Sequence, residues 1–296
     1  MRTILKGYLR LARPANLPTA AADILAGIAI AGVLSNDLVG FEVISKMIFL
    51  VFASVFLYAG GVVLNDVFDL DLDKVERPER PIPSGLIPLR SAAIYGVVLL
   101  ILGIGLAFFS GRVSGVISVV LAFFIVLYDA FSKKDGFLGP MNMGLCRGLN
   151  LILGMSIMGG AAQWWYAIIP LVYIFAITVI SRGEVHGNNK NHIIWAGVLY
   201  NLVILAVITL IMSQTDNILQ AVPFLALFAF LVFRPLIRAY RINSPENIKK
   251  AVIAGVLSLI VLDASLAVGF SVWWYGLLLL LLLPLSIFLS KLFAVT

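Results

Sequence analysis

The sequence predicts an all-α protein, a polytopic transmembrane bundle of nine or ten helices around a central cavity. Three observations carry that expectation. Hydrophobic residues make up 61% of the 296-residue chain and charged residues only 12%, with a mean hydropathy of +1.06. A soluble domain carries roughly twice that charged fraction. The apolar residues also come in runs of about 17 to 22, the length that crosses a hydrocarbon core of ~30 Å as a helix. Finally, these are unbroken runs without period-two alternation, which excludes a transmembrane β-barrel.

In chain order the spans are expected at 16–34, 46–64, 91–110, 113–131, 141–160, 165–181, 193–213, 218–236, 249–269 and 272–290. The last two could instead form one helix and a re-entrant segment. Basic residues test the assignment. They cluster before span 1 (Arg2, Lys6, Arg10, Arg13) and after span 2 (Lys74, Arg77, Arg80, Arg90). They recur after span 4 (Lys133, Lys134), span 6 (Arg182, Lys190), span 8 (Arg234, Arg238, Arg241, Lys249, Lys250) and span 10 (Lys291). Eighteen of the 21 basic residues thus fall on one side. The positive-inside rule makes that side, with both termini, cytoplasmic. The rule also accounts for the net charge of +6. No nucleic-acid motif is present, so no nucleic-acid partner is expected. Cys146 is the only cysteine, which excludes an intrachain disulfide. The first apolar run lacks a small-residue cleavage site and reads as a retained span. Residues 1–296 read as a single integral membrane domain, with the expected cavity opening to the cytoplasmic face.

Two loops on the basic side are more polar than hydration requires. The first reads NDVFDLDLDKVERPERPIPSG over 65–85. Read as a helix continuing through residue 77, it places Asp66, Asp69 and Asp73 on one face with Asn65 beside them. Arg77 returns to the same stripe, and Asp71 points away. Carboxylates stacked a turn apart repel one another beside a low-dielectric slab and call for a cation. Hard divalent cations take oxygen ligands, and Mg2+ commonly combines one or two carboxylates with substrate phosphates. Asn65, Asp66, Asp69 and Asp73 therefore read as one wall of a Mg2+–diphosphate site. Arg77 and Arg80 are placed to take phosphate oxygens. Pro78, Pro81, Pro83 and Gly85 end the helix.

This spacing resembles the N-D-x-x-D-x-x-x-D motif that the UbiA superfamily of intramembrane prenyltransferases carries after its second helix. RPERPIPSG at 77–85 is similar to the run that follows the motif in the chlorophyll-synthase-like and archaeal lipid-ether branches. Arg13-Pro14 and Asn16 look like the family's R-P-x-N at the start of helix 1. Tyr128 and Lys133 look like its Tyr…Lys element after helix 4. The second acidic motif, usually D-x-x-x-D, departs from the pattern. Residues 181–190 read SRGEVHGNNK, and alignment on Gly187 puts Glu184 and Asn188 at the aspartate positions with His186 between them. That set offers oxygen donors with one formal charge instead of two. His186 lies inside the motif and suits a general base. With His192 it makes only two histidines, too few for a metal site of their own.

The resemblance implies transfer of a prenyl group from a polyprenyl diphosphate drawn from the membrane lipid to a small acceptor, releasing diphosphate with Mg2+ as cofactor. The acceptor is aromatic or a polar lipid or alcohol. Asp66, Asp69, Asp73, Glu184 and His186 are the catalytic candidates. Asn65, Asp66, Asp69, Asp73, Glu184 and Asn188 are the metal candidates. Arg13, Asn16, Arg77, Arg80, Tyr128, Lys133, Lys134, Arg147, Arg182 and Lys190 are the diphosphate-binding candidates. Arg147 enters because an arginine inside a span costs roughly 2.5–3.5 kcal/mol on insertion scales and must face a polar cavity or an acid such as Asp23 or Asp263. Two alternatives stand beside this reading: a lapsed family member, and a transporter of an anionic lipid. A CDP-alcohol phosphotransferase is excluded, because the chain has no D-G-x-x-A-R segment.

Overall fold

The computed structural model describes residues 2–35, 40–182 and 190–293, and all regular structure among them is helical. In chain order the helices are α1 (Arg2–Leu11), α2 (Leu17–Ile30), α3 (Phe41–Phe68), α4 (Leu70–Glu76), α5 (Leu89–Ser110), α6 (Arg112–Ala130) and α7 (Leu138–Met155). They continue as α8 (Ile168–Ser181), α9 (Lys190–Gln214), α10 (Ile218–Arg241), α11 (Pro245–Phe270), α12 (Trp273–Leu280) and α13 (Leu282–Leu292). A helix stands at each of the ten expected positions. Eight helical segments among the described residues are long and apolar enough to cross a membrane unaided. The two expected spans outside that set, α2 with Asp23 and α7 with Asn142, Arg147 and Asn150, both carry buried polar groups.

α2 and α11 form the interior. Twelve of the fourteen α2 residues are buried, as is 72% of the most apolar window of α11. α2 meets α7 at backbone distance, where a Cβ on Gly27 would lie 2.4 Å from the Leu151 carbonyl oxygen. A Cβ on Gly154 would lie 2.4 Å from the Ile24 carbonyl oxygen. Membrane helices associate through such small-residue contacts, since lipid supplies no hydrophobic drive between them. Gly60 and Gly96 play the same part between α3 and α5. Tyr173 on α8 donates to the Gly255 carbonyl (2.8 Å), and Tyr275 on α12 donates to that of Leu25 (3.1 Å), tying both to the interior pair.

Three features differ from the sequence reading. The helix expected to run unbroken through residues 65–77 has a joint at Asp69, whose ψ of 7° leaves the helical range. Backbone bonds from Asp69 to Asn65, Asp73 to Asp69 and Arg77 to Asp73 still bridge the joint. Span 10 is divided into α12 and α13, because Pro284 has no N–H to give the Leu280 carbonyl. The third difference is α1, which was not anticipated. It exposes Ile4, Leu5 and Leu9 and buries Leu11.

Candidate active site

The acidic stretch at the end of α3 faces inward at its first and last aspartates. Asp66 and Asp73 are buried, with 5% and 2% of their surface exposed. Both meet Arg80, whose Nη1 lies 3.1 Å from Asp66 and 2.7 Å from Asp73. Arg80 reaches them because the proline loop folds back on itself. Ser84 donates to Arg80, Ile87 donates to Pro81, and Gly85 takes the left-handed φ of 75° that closes the turn. Ile82 and Ile87 anchor this loop in a small apolar cluster. Arg77 stays exposed and makes no ion pair with a described residue, because the loop turns Arg80 inward instead.

Arg13 reaches Asp66 from the opposite side, at 2.5 Å. Its backbone is left-handed (φ 45°), the one non-glycine case among the described residues. A residue before proline disfavours that region further, and such strain costs about 1–3 kcal/mol. The turn is held by Ser286 of α13, whose hydroxyl donates to the Ala15 carbonyl. Asp69 lies outside this pair and takes Lys133, 2.6 Å away at the end of α6. Asp71 is exposed beside Lys74, as its position on the helix requires.

A cavity of about 360 Å³ opens beside this network. Arg13, Asn65, Tyr128 and Asp129 line its polar end, and Leu57, Val62, Leu121, Ile125, Ile174 and Ile177 line its apolar wall. Thr178 and Ser181, the last turn of α8, also face it. Arg147 lines it as well, but its guanidinium is engaged by Asp23 (2.7 Å) and Thr19 (2.7 Å) and lies over the Tyr58 ring. Asp23 also accepts from Asn150, which in turn accepts from Ser54. Arg147 thus borders the cavity while its guanidinium is paired with an acid.

Several candidates stand apart. Asn16 is not among the cavity's lining residues, and its carbonyl accepts from the Thr19 hydroxyl. Lys134 is exposed and without an ion pair among the described residues. Arg182 donates to the Asp135 carbonyl (2.6 Å). Asp135 accepts the Phe137 and Leu138 N–H groups at the start of α7, and these two bonds hold its carboxyl below the usual range. Lys190 stacks on Tyr240. Glu184, His186 and Asn188 lie outside the described residues.

The donor set at the mouth is oxygen only, which fits a hard divalent cation. The expected wall of four ligands is nonetheless not a complete cage. Among the described residues no three acidic, histidine or cysteine side chains converge on one point. Arg80 separates Asp73 from the cavity and Lys133 holds Asp69. The protein's share of a Mg2+ shell would be one or two carboxylates, the remainder coming from substrate oxygens. Sequence reasoning missed Asp129. It is an acid inside an expected span, and such residues face a bundle interior or a polar cavity.

Comparison with known proteins bears on the lineage and the fold. The profile of the UbiA prenyltransferase family matches residues 20–183, more than half of the chain. The digeranylgeranylglyceryl phosphate synthase of Methanococcoides burtonii is 38% identical over 162 residues, covering 53% of this chain and 57% of that one. The chain thus spans less than two thirds of that relative. A solved structure of a digeranylgeranylglyceryl phosphate synthase superposes with a TM-score of 0.68 at 24% identity, covering 91% of this chain and 99% of that one. A UbiA homologue from Archaeoglobus fulgidus, bound to GPP and Mg2+, gives a TM-score of 0.65 at 15% identity over 84% of this chain and 99% of that one. The two structures establish the helical membrane fold, and the profile establishes the lineage: the chain belongs to the UbiA prenyltransferase family.

Proposed function

We propose that the protein transfers a prenyl group from a prenyl diphosphate to a hydroxyl of a polar, glyceryl-phosphate-type lipid, releasing diphosphate at the cytoplasmic face. The observation that carries this reading is the cavity, whose charged mouth passes directly into apolar walls. That profile matches a donor with an anionic head and a hydrocarbon chain. Arg13, Arg80 and Lys133 supply N–H donors for the diphosphate, and Tyr128 supplies an O–H. Asn65, Asp66 and Asp69 would hold Mg2+, which when bound neutralises the charge that builds on the departing diphosphate. The walls from Leu57 to Ile177 exclude water, which would otherwise capture the allylic cation. The C–O bond to diphosphate breaks with its electron pair going to the diphosphate. The acceptor hydroxyl oxygen captures the allylic cation to form the new C–O bond, and the hydroxyl proton passes to an oxygen of the departing diphosphate. The polar acceptor is favoured over an aromatic one by the names of the relatives, which describe a glyceryl phosphate bearing two prenyl groups.

The test is diphosphate release by the protein in lipid. Farnesyl and geranylgeranyl diphosphates would be offered with a monoprenylated glyceryl phosphate or with a hydroxybenzoic acid, in Mg2+ or EDTA. Release that requires Mg2+ and the glyceryl lipid, with a new doubly prenylated mass, is expected. Product on the aromatic acid alone would overturn the acceptor assignment. No release with any donor would overturn the transfer itself.

A further inference from the structure

Four carboxylates and three cations stand around the cavity's polar end, and of these Arg13 and Asp129 line the cavity itself. Arg80 is shared by Asp73 and Asp66, Arg13 adds a second partner for Asp66, and Lys133 pairs with Asp69. Asp129 is the fourth acid. It sits in the last turn of α6 with 3% of its surface exposed, and it lines the cavity. Its Oδ1 accepts from the Asn65 amide (3.0 Å), while its Oδ2 is buried without a hydrogen-bond partner. The charges acting on it are those of Lys133, Asp69 and Arg13. A buried polar oxygen left unpaired costs about 1–3 kcal/mol, so such an atom calls for a ligand.

We propose that Asp129 is a metal ligand of this site, its free Oδ2 joining Asn65 and the neighbouring Asp69 as oxygen donors to a hard divalent cation. The proposal rests on the prenyl-transfer reading for the presence of that cation. It adds the residue through which α6 joins α3 in holding it. The segment 182–190 carries only one acid, Glu184, so carboxylate charge from α6 is a large part of what the mouth can offer. Asn65 then has two tasks. Its amide N–H fixes Asp129 and its amide oxygen remains an acceptor.

The experiment is Mn2+ binding followed by electron paramagnetic resonance in lipid nanodiscs, with and without inorganic diphosphate. Asp129→Asn retains an oxygen for the Asn65 amide and removes the charge. It is expected to weaken Mn2+ binding about tenfold or more, the scale on which even indirect partners of a metal act. Asp71→Asn, at an exposed acid on α4, is expected to bind as the unmodified protein does. A direct ligand and a positioning residue are separated by Asp129→Cys in a Cys146→Ala background. Thiolate favours softer ions, so preference should shift from Mn2+ toward Cd2+. Unchanged Mn2+ affinity in Asp129→Asn, with binding lost in Asp66→Asn, would overturn the role of Asp129 and leave the transfer reading intact. No shift toward Cd2+ would reduce Asp129 to positioning Asn65. Absence of Mn2+ binding by the unmodified protein, with diphosphate present, would overturn both.

Discussion

Two ionic clusters share this bundle, and they are built on opposite plans. The deep one, between α2 and α7, joins Asp23, Arg147, Thr19, Asn150 and Ser54 through short hydrogen bonds among buried side chains. Asp263 of α11 lies against Asp23. Its backbone is ordinary helix throughout. The mouth cluster, built from α3, α4, α6 and two loops, has a strained arginine and a partly exposed lysine pair. The contrast teaches where a charge cluster serves packing and where it serves a ligand. A cluster of the first kind sits on unstrained helix, with its arginine engaged by an acid and a hydroxyl of the same cluster. One of the second kind retains backbone strain at the edge of a cavity.

The comparison can be broken at either end. Arg147→Met is expected to have the largest effect on folding. It leaves Asp23 buried beside Asp263 without a cation, which costs about 3–5 kcal/mol. A large fall in the unfolding temperature, or loss of monodisperse protein in detergent, would be the sign of it. An unfolding temperature within a degree of the unmodified protein would show that the deep pair is not structural.

Arg13→Gly should have a smaller effect on stability and a different signature. Glycine accepts the left-handed backbone and relieves the strain, at a cost of roughly 0.5–1 kcal/mol in unfolded-chain entropy. The lost ion pair with Asp66 acts against the variant too, but Arg80 still covers that carboxylate. Thermal stability should therefore change little while diphosphate release falls about a hundredfold, the usual scale for one electrostatic donor. Equal losses in both measurements would mean that Arg13 holds the fold and not the ligand.

The sequence displayed some of this clearly and hid the rest for physical reasons. The spans were readable because hydrocarbon thickness imposes run length on the chain. The N-D-x-x-D-x-x-x-D spacing was readable because helix periodicity places Asp66 and Asp73 on one face while Asp71 leaves it. The difference between Arg77 and Arg80 was not readable. It depends on how Pro81, Pro83 and Gly85 fold the loop back, which spacing alone does not state. Asp129 was hidden because its partner Asn65 stands 64 positions away, across the packing of α6 on α3. The deep pairing of Arg147 with Asp23 was foreseeable as one of two choices, since an intramembrane arginine has few affordable surroundings.

The central claim is that the mouth cluster, and not the deep one, serves the diphosphate and its cation. Its most direct test is Asp66→Asn, measured for Mg2+-dependent diphosphate release and for thermal unfolding in the same preparation. Arg80 keeps Asp73, so the fold should hold while release falls about a hundredfold or more. Release at the unmodified rate from a stably folded Asp66→Asn protein would contradict the account.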